Sequence, residues 1–70
     1  MYRLRPEHIR ALRKQARLSL PALAEASRIG RATLCRWESH ALTAFDFNLI
    51  HRLARTHAVN VSELIEEVPQ

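Results

Sequence analysis

An all-α fold, a five-helix bundle, is what this sequence predicts, on three observations. Apolar residues recur at three- and four-residue steps along the chain, the mark of helices buried on one face. Ala, Leu, Arg and Glu, all good helix formers, are abundant. One glycine and three prolines are too few for a hairpin-rich or linker-rich fold. No repeat, low-complexity segment or boundary interrupts the pattern. The 70 residues are therefore read as one domain, residues 1–70, with a core over about residues 6–67. A chain this short buries a modest core, so its stability gains from association with a second copy.

The elements follow from caps and breakers. The first helix is expected over about residues 6–16. Pro6 suits a first helical position and Glu7 complements the helix dipole there. Ile9, Leu12 and Ala16 form its inner stripe. Ser19 caps the second helix, which ends near Ser27. Pro21 sits in its first turn, where a missing N–H does no harm. Leu20, Leu23 and Ala24 face inward or toward the next helix. The turn Arg28-Ile29-Gly30 leads to a third helix over about residues 31–39. A loop follows over about residues 40–43. The fourth helix runs to about residue 57, capped by Asp46 or by a Thr43/Asp46 capping box, with Phe47, Ile50, Leu53 and Ala54 as its apolar stripe. A fifth is expected after Asn60, with Glu63 completing a capping box and Val61, Leu64 and Ile65 inward. Pro69 ends the order.

Charge is distributed unevenly. The chain carries a net +4, but residues 1–39 hold nine Lys or Arg against three acids, and residues 40–70 hold two against four. The basic half is placed to meet a polyanion, with the acidic tail turned away. No apolar run approaches the roughly 20 residues of a membrane span. The N-terminus lacks the apolar stretch of a signal peptide, so a cytoplasmic location and no membrane partner are expected. A single cysteine allows no internal disulfide, consistent with that compartment. His8, His40, His51 and His57 lack tight metal-ligand spacing, and no phosphate loop or supported nucleophile is present. No metal, cofactor or enzymatic activity is expected.

The second and third helices are each about two turns long and joined by a few residues, so they must cross steeply. Small Ala24 permits the close crossing, Ile29 plugs the turn, and Leu34 with Trp37 anchors the third helix on the core. That is a helix-turn-helix, over about residues 20–39. On an ideal helix of ~3.6 residues per turn, Leu34, Trp37 and Glu38 share one side. Ala32, Cys35, Arg36 and Ser39 lie opposite, flanked by Arg31 and Thr33.

Three stretches carry a family likeness: IRALRKQ at 9–15, LSLPALAEASRIGRATLCRWE at 18–38 and LARTHAVNVSELI at 53–65. Together they resemble the lambda-repressor/Cro (Xre-type) helix-turn-helix domain. The resemblance implies a five-helix bundle of the lambda-repressor-like DNA-binding type, whose third helix enters the major groove. By position in that family, Arg31, Ala32, Cys35 and Arg36 match the base-reading sites. Arginine chemistry agrees, since a guanidinium pairs in bidentate fashion with guanine O6 and N7, and Ala32 and the Thr33 methyl suit a thymine methyl. Ser19 and the opening N–H groups of the second helix suit a phosphate. Arg17, Arg28, Ser39 and His40 lie along the expected backbone track. The resemblance also implies an Arg13–Glu38 ion pair tying the first helix to the third. The sequence departs from the family after the third helix, where the usual Gly and Pro are absent and the loop is about one residue longer, and at three positions before it. Arg28 stands where glycine is usual, Gly30 where Ser or Thr usually caps the third helix, and Leu20 where Gln is frequent.

The expected function is therefore that of a sequence-specific DNA-binding transcriptional regulator, a repressor acting as a homodimer on double-stranded DNA with a palindromic operator. With no room for a separate dimerisation domain, Val59, Ile65 and Val68, around the fifth helix and the VPQ tail, are the expected dimer surface. The alternative is a protein-interaction module, such as the antitoxin-like member of a pair, with weak or no DNA binding.

Overall fold

The computed structural model describes residues 1–69; Gln70, the end of the VPQ tail, lies outside the described residues. In chain order they form β1 (Tyr2–Leu4), α1 (Pro6–Gln15), α2 (Leu20–Ser27), α3 (Arg31–Trp37), α4 (Phe47–Thr56), a 3-10 turn (Val61–Glu63) and β2 (Ile65–Glu67). The fold is mostly helical, but with four α-helices among the described residues rather than five. The expected fifth helix is a single 3-10 turn followed by a strand.

The reason lies in the backbone partners. In a continuing helix the Leu64 carbonyl would accept the Val68 N–H. It accepts the Arg5 N–H instead, at 2.8 Å, and Val68 donates to the Met1 carbonyl at 2.8 Å. The N-terminal segment thus captures the C-terminal one. β1 and β2 pair antiparallel, with Tyr2 opposite Glu67, Arg3 opposite Glu66 and Leu4 opposite Ile65. Leu4 also donates its N–H to the Leu42 carbonyl at 2.9 Å, fastening β1 to the loop after α3. Asn60 makes no side-chain cap, so the expected Asn60/Glu63 capping box does not form.

Of the two caps open for α4, Asp46 alone is the one that forms: the helix begins at Phe47, the Asp46 carboxylate accepts the Asn48 N–H at 2.8 Å, and Thr43 plays no part. The first helix is shorter than expected. α1 ends at Gln15, which leaves Ala16 exposed as its C-cap rather than on the inner stripe. The core gathers Leu4, Ile9, Leu23, Ile29, Leu34, Trp37, Ile50, Leu53, Ala54, Leu64 and Ile65 from the four helices, both strands and the turns beside them. Leu12, Leu20 and Ala24 pack against its edge. Phe47, expected inward, is instead exposed, and its ring lies against Phe45 and His51.

Three helices end in a left-handed residue that is not glycine: Arg17 (φ 56°), Arg28 (φ 59°) and Ala58 (φ 55°). Each costs roughly 1 kcal/mol against glycine, the residue most at ease there. The chain's one glycine, Gly30, sits elsewhere, as the N-cap of α3 with φ −59°. It supplies no cap side chain, and its backbone is one that any residue adopts.

Candidate nucleic-acid interface

The helix pair α2–α3 is held from below. Leu34 and Trp37 are buried on the inner side of α3, and Ile29 is buried in the turn. Ser27, also buried, turns its hydroxyl back to the Leu23 carbonyl at 2.7 Å, so it brings no unsatisfied donor into the core. Arg28 takes the left-handed conformation that the tight turn requires, and the Ile29 N–H closes the end of α2 on the Ala24 carbonyl at 3.2 Å.

Glu38, at the end of α3, is fixed to α1. Arg13 Nε donates to Glu38 Oε2 at 2.7 Å and Arg13 Nη2 to Oε1 at 3.0 Å. Arg13 Nη1 donates to the Leu18 carbonyl at 3.0 Å. One guanidinium therefore ties α1, the segment before α2 and the end of α3 together. The hydrogen bonds that Arg13 donates to the Glu38 carboxylate hold the Arg13 pKa above its ordinary value, against the opposing effect of burial. The ring of His57, at the end of α4, has a buried Nε2 without a hydrogen-bond partner. Burial pushes the His57 pKa below its usual range, and the nearby Glu38 charge partly offsets this.

With its inner side occupied, α3 presents the rest to solvent. Arg31, Ala32, Cys35 and Arg36 are exposed along one side, with Thr33 half-buried at the margin. Ser39 and His40 continue this exposed track beyond the helix end. The Ser39 hydroxyl donates to the Cys35 carbonyl at 2.9 Å. Among the described residues neither Arg31 nor Arg36 has a carboxylate within ion-pair distance. Two guanidinium groups and a floor of small side chains thus form a convex, positively charged ridge. Guanidinium N–H groups are donors of the kind that pair with the guanine acceptors of a DNA major groove.

The start of α2 is more economical in donors than the sequence implies. Ser19 caps the helix, its Oγ accepting the Ala22 N–H at 3.2 Å. Pro21 has no N–H, and Leu23 donates to the Ser19 carbonyl at 2.9 Å. The Ser19 and Leu20 N–H groups are the donors left over at this end. Arg17, exposed and left-handed just before it, adds a charge beside it.

A family model for the helix-turn-helix domain matches residues 7–67 of this chain. The chain belongs to the helix-turn-helix domain family, of the Xre/lambda-repressor type. A helix-turn-helix domain is a DNA-binding unit and typically not an enzyme, which accords with the ridge on α3. Searches of curated proteins and of solved structures found no match. Among the described residues no helix is long and apolar enough to cross a membrane, and no cluster of His, Cys, Asp and Glu is arranged to hold a metal.

Of the dimer candidates, Val59 and Val68 are half-buried, whereas Ile65 is 7 % exposed and packs into the core of its own chain. The feature that sequence reasoning missed on this side is the aromatic group Phe45, Phe47 and His51. Phe47 is 43 % exposed, 6.0 Å from Phe45 and 5.3 Å from His51 between ring centroids. The i, i+4 spacing of Phe47 and His51 on α4 was the available signal.

Proposed function

We propose that this helix-turn-helix domain is a sequence-specific transcriptional regulator, a repressor that binds a palindromic operator as a homodimer. The observation that carries this reading is the division of α3 into two sides. Leu34, Trp37 and Glu38 are fastened to the body, while Arg31, Ala32, Cys35 and Arg36 stand free. In the proposed complex Arg31 and Arg36 read guanines, and Ala32, Thr33 and Cys35 let the helix approach the bases closely. Arg17, Ser19, Arg28, Ser39 and His40 hold phosphates along the groove edges. The Arg13–Glu38 pair sets the pose of α3. Dimerisation uses Val59 and Val68, with Ile65 contributing backbone rather than side chain. Two half-sites would then lie about 34–36 Å apart, one turn of the duplex.

Selection from random duplex DNA tests the reading, with an enriched palindrome as the expected result. On the selected duplex, Arg36→Ala is expected to cost on the order of 1–3 kcal/mol and to relax preference at one base pair. Parent-like binding by that variant would show that α3 does not read bases through this face.

A second reading is favoured by exposed Phe47 and His51 beside half-buried Phe45: a protein-interaction module, such as an antitoxin-like partner. Large apolar side chains clustered at a surface mark protein contacts more than DNA contacts. Absence of any enriched sequence, together with a tight protein complex abolished by Phe47→Ser, would favour this reading.

A further inference from the structure

Between the end of α2 and the outer side of α4 lies an open concavity of about 560 Å³, lined by Ala26, Ser27, Arg28, Arg52, Arg55 and Thr56. Three of the six are arginines and none is an acid. Among the described residues, no carboxylate lies within ion-pair distance of any of the three. The hydroxyls are already committed: Ser27 donates to the Leu23 carbonyl at 2.7 Å and Thr56 to the Arg52 carbonyl at 2.9 Å. The donors left to a ligand are guanidinium N–H groups.

The arginines are also organised. Arg52 Nη1 donates to the Arg28 carbonyl at 2.8 Å, which holds the Arg52 head against the end of α2. Capping that carbonyl uses one of five guanidinium donors and leaves the others facing out. Arg55 follows Arg52 by three residues, one turn along the same face of α4. Arg28 occupies a left-handed position at φ 59°, where glycine would be less strained. Three like charges at one site, one of them in a disfavoured conformation, raise the energy of the free chain. An anionic ligand relieves the repulsion.

We propose that Arg28, Arg52 and Arg55 form a single cradle for the DNA phosphate backbone, so that α4 as well as the helix-turn-helix holds the duplex. This rests on the DNA-binding reading above and adds Arg52 and Arg55 to it. The placement favours backbone over any other anion. Arg28 is separated from Arg31, the first residue of α3, by Ile29 and Gly30 alone, so the cradle borders the end of the base-reading helix. The eight residues of α2 span about 12 Å. The major groove is also about 12 Å wide. Laid across the groove with its Ser19 end on one wall, α2 would be long enough for its far end, which carries the cradle, to reach the opposite wall.

The test uses the whole chain and a duplex obtained by selection. The variants are R55Q, which leaves the Arg52–Arg28 bond in place, and R52Q/R55Q, with thermal unfolding to show that both are folded. Each phosphate contact contributes about 0.9 to the slope of log affinity against log salt. R55Q is therefore expected to lower that slope by about one and the double variant by about two. Extrapolated from 1 M, the same slope corresponds to about fivefold weaker binding per arginine at 0.15 M salt. The order of preference among bases should stay unchanged. In addition, neutral methylphosphonates at the flanking phosphates should weaken the parent but not R52Q/R55Q. A parent-like slope in the folded R55Q and R52Q/R55Q proteins, or equal methylphosphonate losses in parent and double variant, overturns the cradle alone. A parent that binds no duplex overturns the cradle and the DNA-binding reading together.

Discussion

Arg13–Glu38 and Arg3–Glu66 are both arginine–glutamate pairs that join distant parts of the chain. In the first, the side chains are 18 % and 7 % exposed, the contact is two-pronged, and a third guanidinium N–H reaches the Leu18 carbonyl. In the second they are 44 % and 41 % exposed, and Arg3 meets a single carboxylate oxygen across the β1–β2 pair. The same chemistry therefore has two different consequences. The buried pair has exchanged water for fixed partners, so loss of either partner strands a charge. The exposed pair competes with water and salt at every moment. One pair ties α1 to the end of α3, the helix proposed to face DNA; the other decorates a strand pairing that backbone bonds and Leu4 already secure.

The contrast breaks if Glu38→Ala is tolerated. That variant is expected to cost about 3 kcal/mol, because Arg13 is left charged and half-buried. A domain of this size commands only about 3–5 kcal/mol, so Glu38→Ala should keep no more than about 2 kcal/mol and unfold at a much lower urea midpoint than the parent. The Arg13→Met/Glu38→Leu double variant should recover much of the loss. A double variant less stable than the single would show that the pair contributes net stability rather than orientation.

His57 sharpens the buried side of the comparison. Its folded pKa lies below the unfolded value of about 6.5, so the folded chain binds fewer protons than the unfolded one. Its contribution to stability is complete above about pH 6.5 and declines as pH falls toward the folded value. Melting curves from pH 7.5 to 5 should show this decline, and His57→Leu should flatten it. The same variant removes the unpartnered Nε2 and is expected to add about 1 kcal/mol at neutral pH. An unchanged profile in His57→Leu would assign the decline to another group.

Arg28→Gly separates stability from function at one residue. Relief of the left-handed conformation should raise stability by roughly 1 kcal/mol. Loss of the side chain should weaken binding to a selected duplex and lower its salt dependence. Stability and affinity moving together would contradict the proposed phosphate contact.

The smallest effect belongs to the exposed pair. Arg3→Ala should leave the melting midpoint at neutral pH unmoved within error. The Arg3 hydrogen bond pulls the Glu66 pKa below its ordinary value, so whatever the pair adds is present above the carboxylate range and lost as pH falls below it. A midpoint shift as large as that of Glu38→Ala would mean that burial is not what distinguishes the two pairs.

Local signals made much of the fold and the candidate site legible in the sequence. Ser19, Pro6 and Pro21 mark helix starts through hydrogen bonds and dihedrals that involve a few neighbouring residues. The sides of α3 follow from its period: Leu34 and Trp37 inward, Arg31, Ala32, Cys35 and Arg36 outward. The left-handed Arg28 is signalled only by the family resemblance, in which glycine is usual at that position. Tertiary structure decided what depends on partners far along the chain. Val61 to Ile65 carries a helical pattern, yet Arg5 takes the Leu64 carbonyl and Met1 takes the Val68 N–H, so the segment becomes a turn and a strand. A three-residue strand such as Tyr2–Leu4 is too short to show a period of its own. Phe47 has the spacing of a core residue but lies one turn beyond where the core ends. The concavity of Arg28, Arg52 and Arg55 joins residues 24 positions apart through one hydrogen bond. Periodicity reports which face of a helix is buried; which groups meet across the fold is settled by packing and by competition for backbone partners.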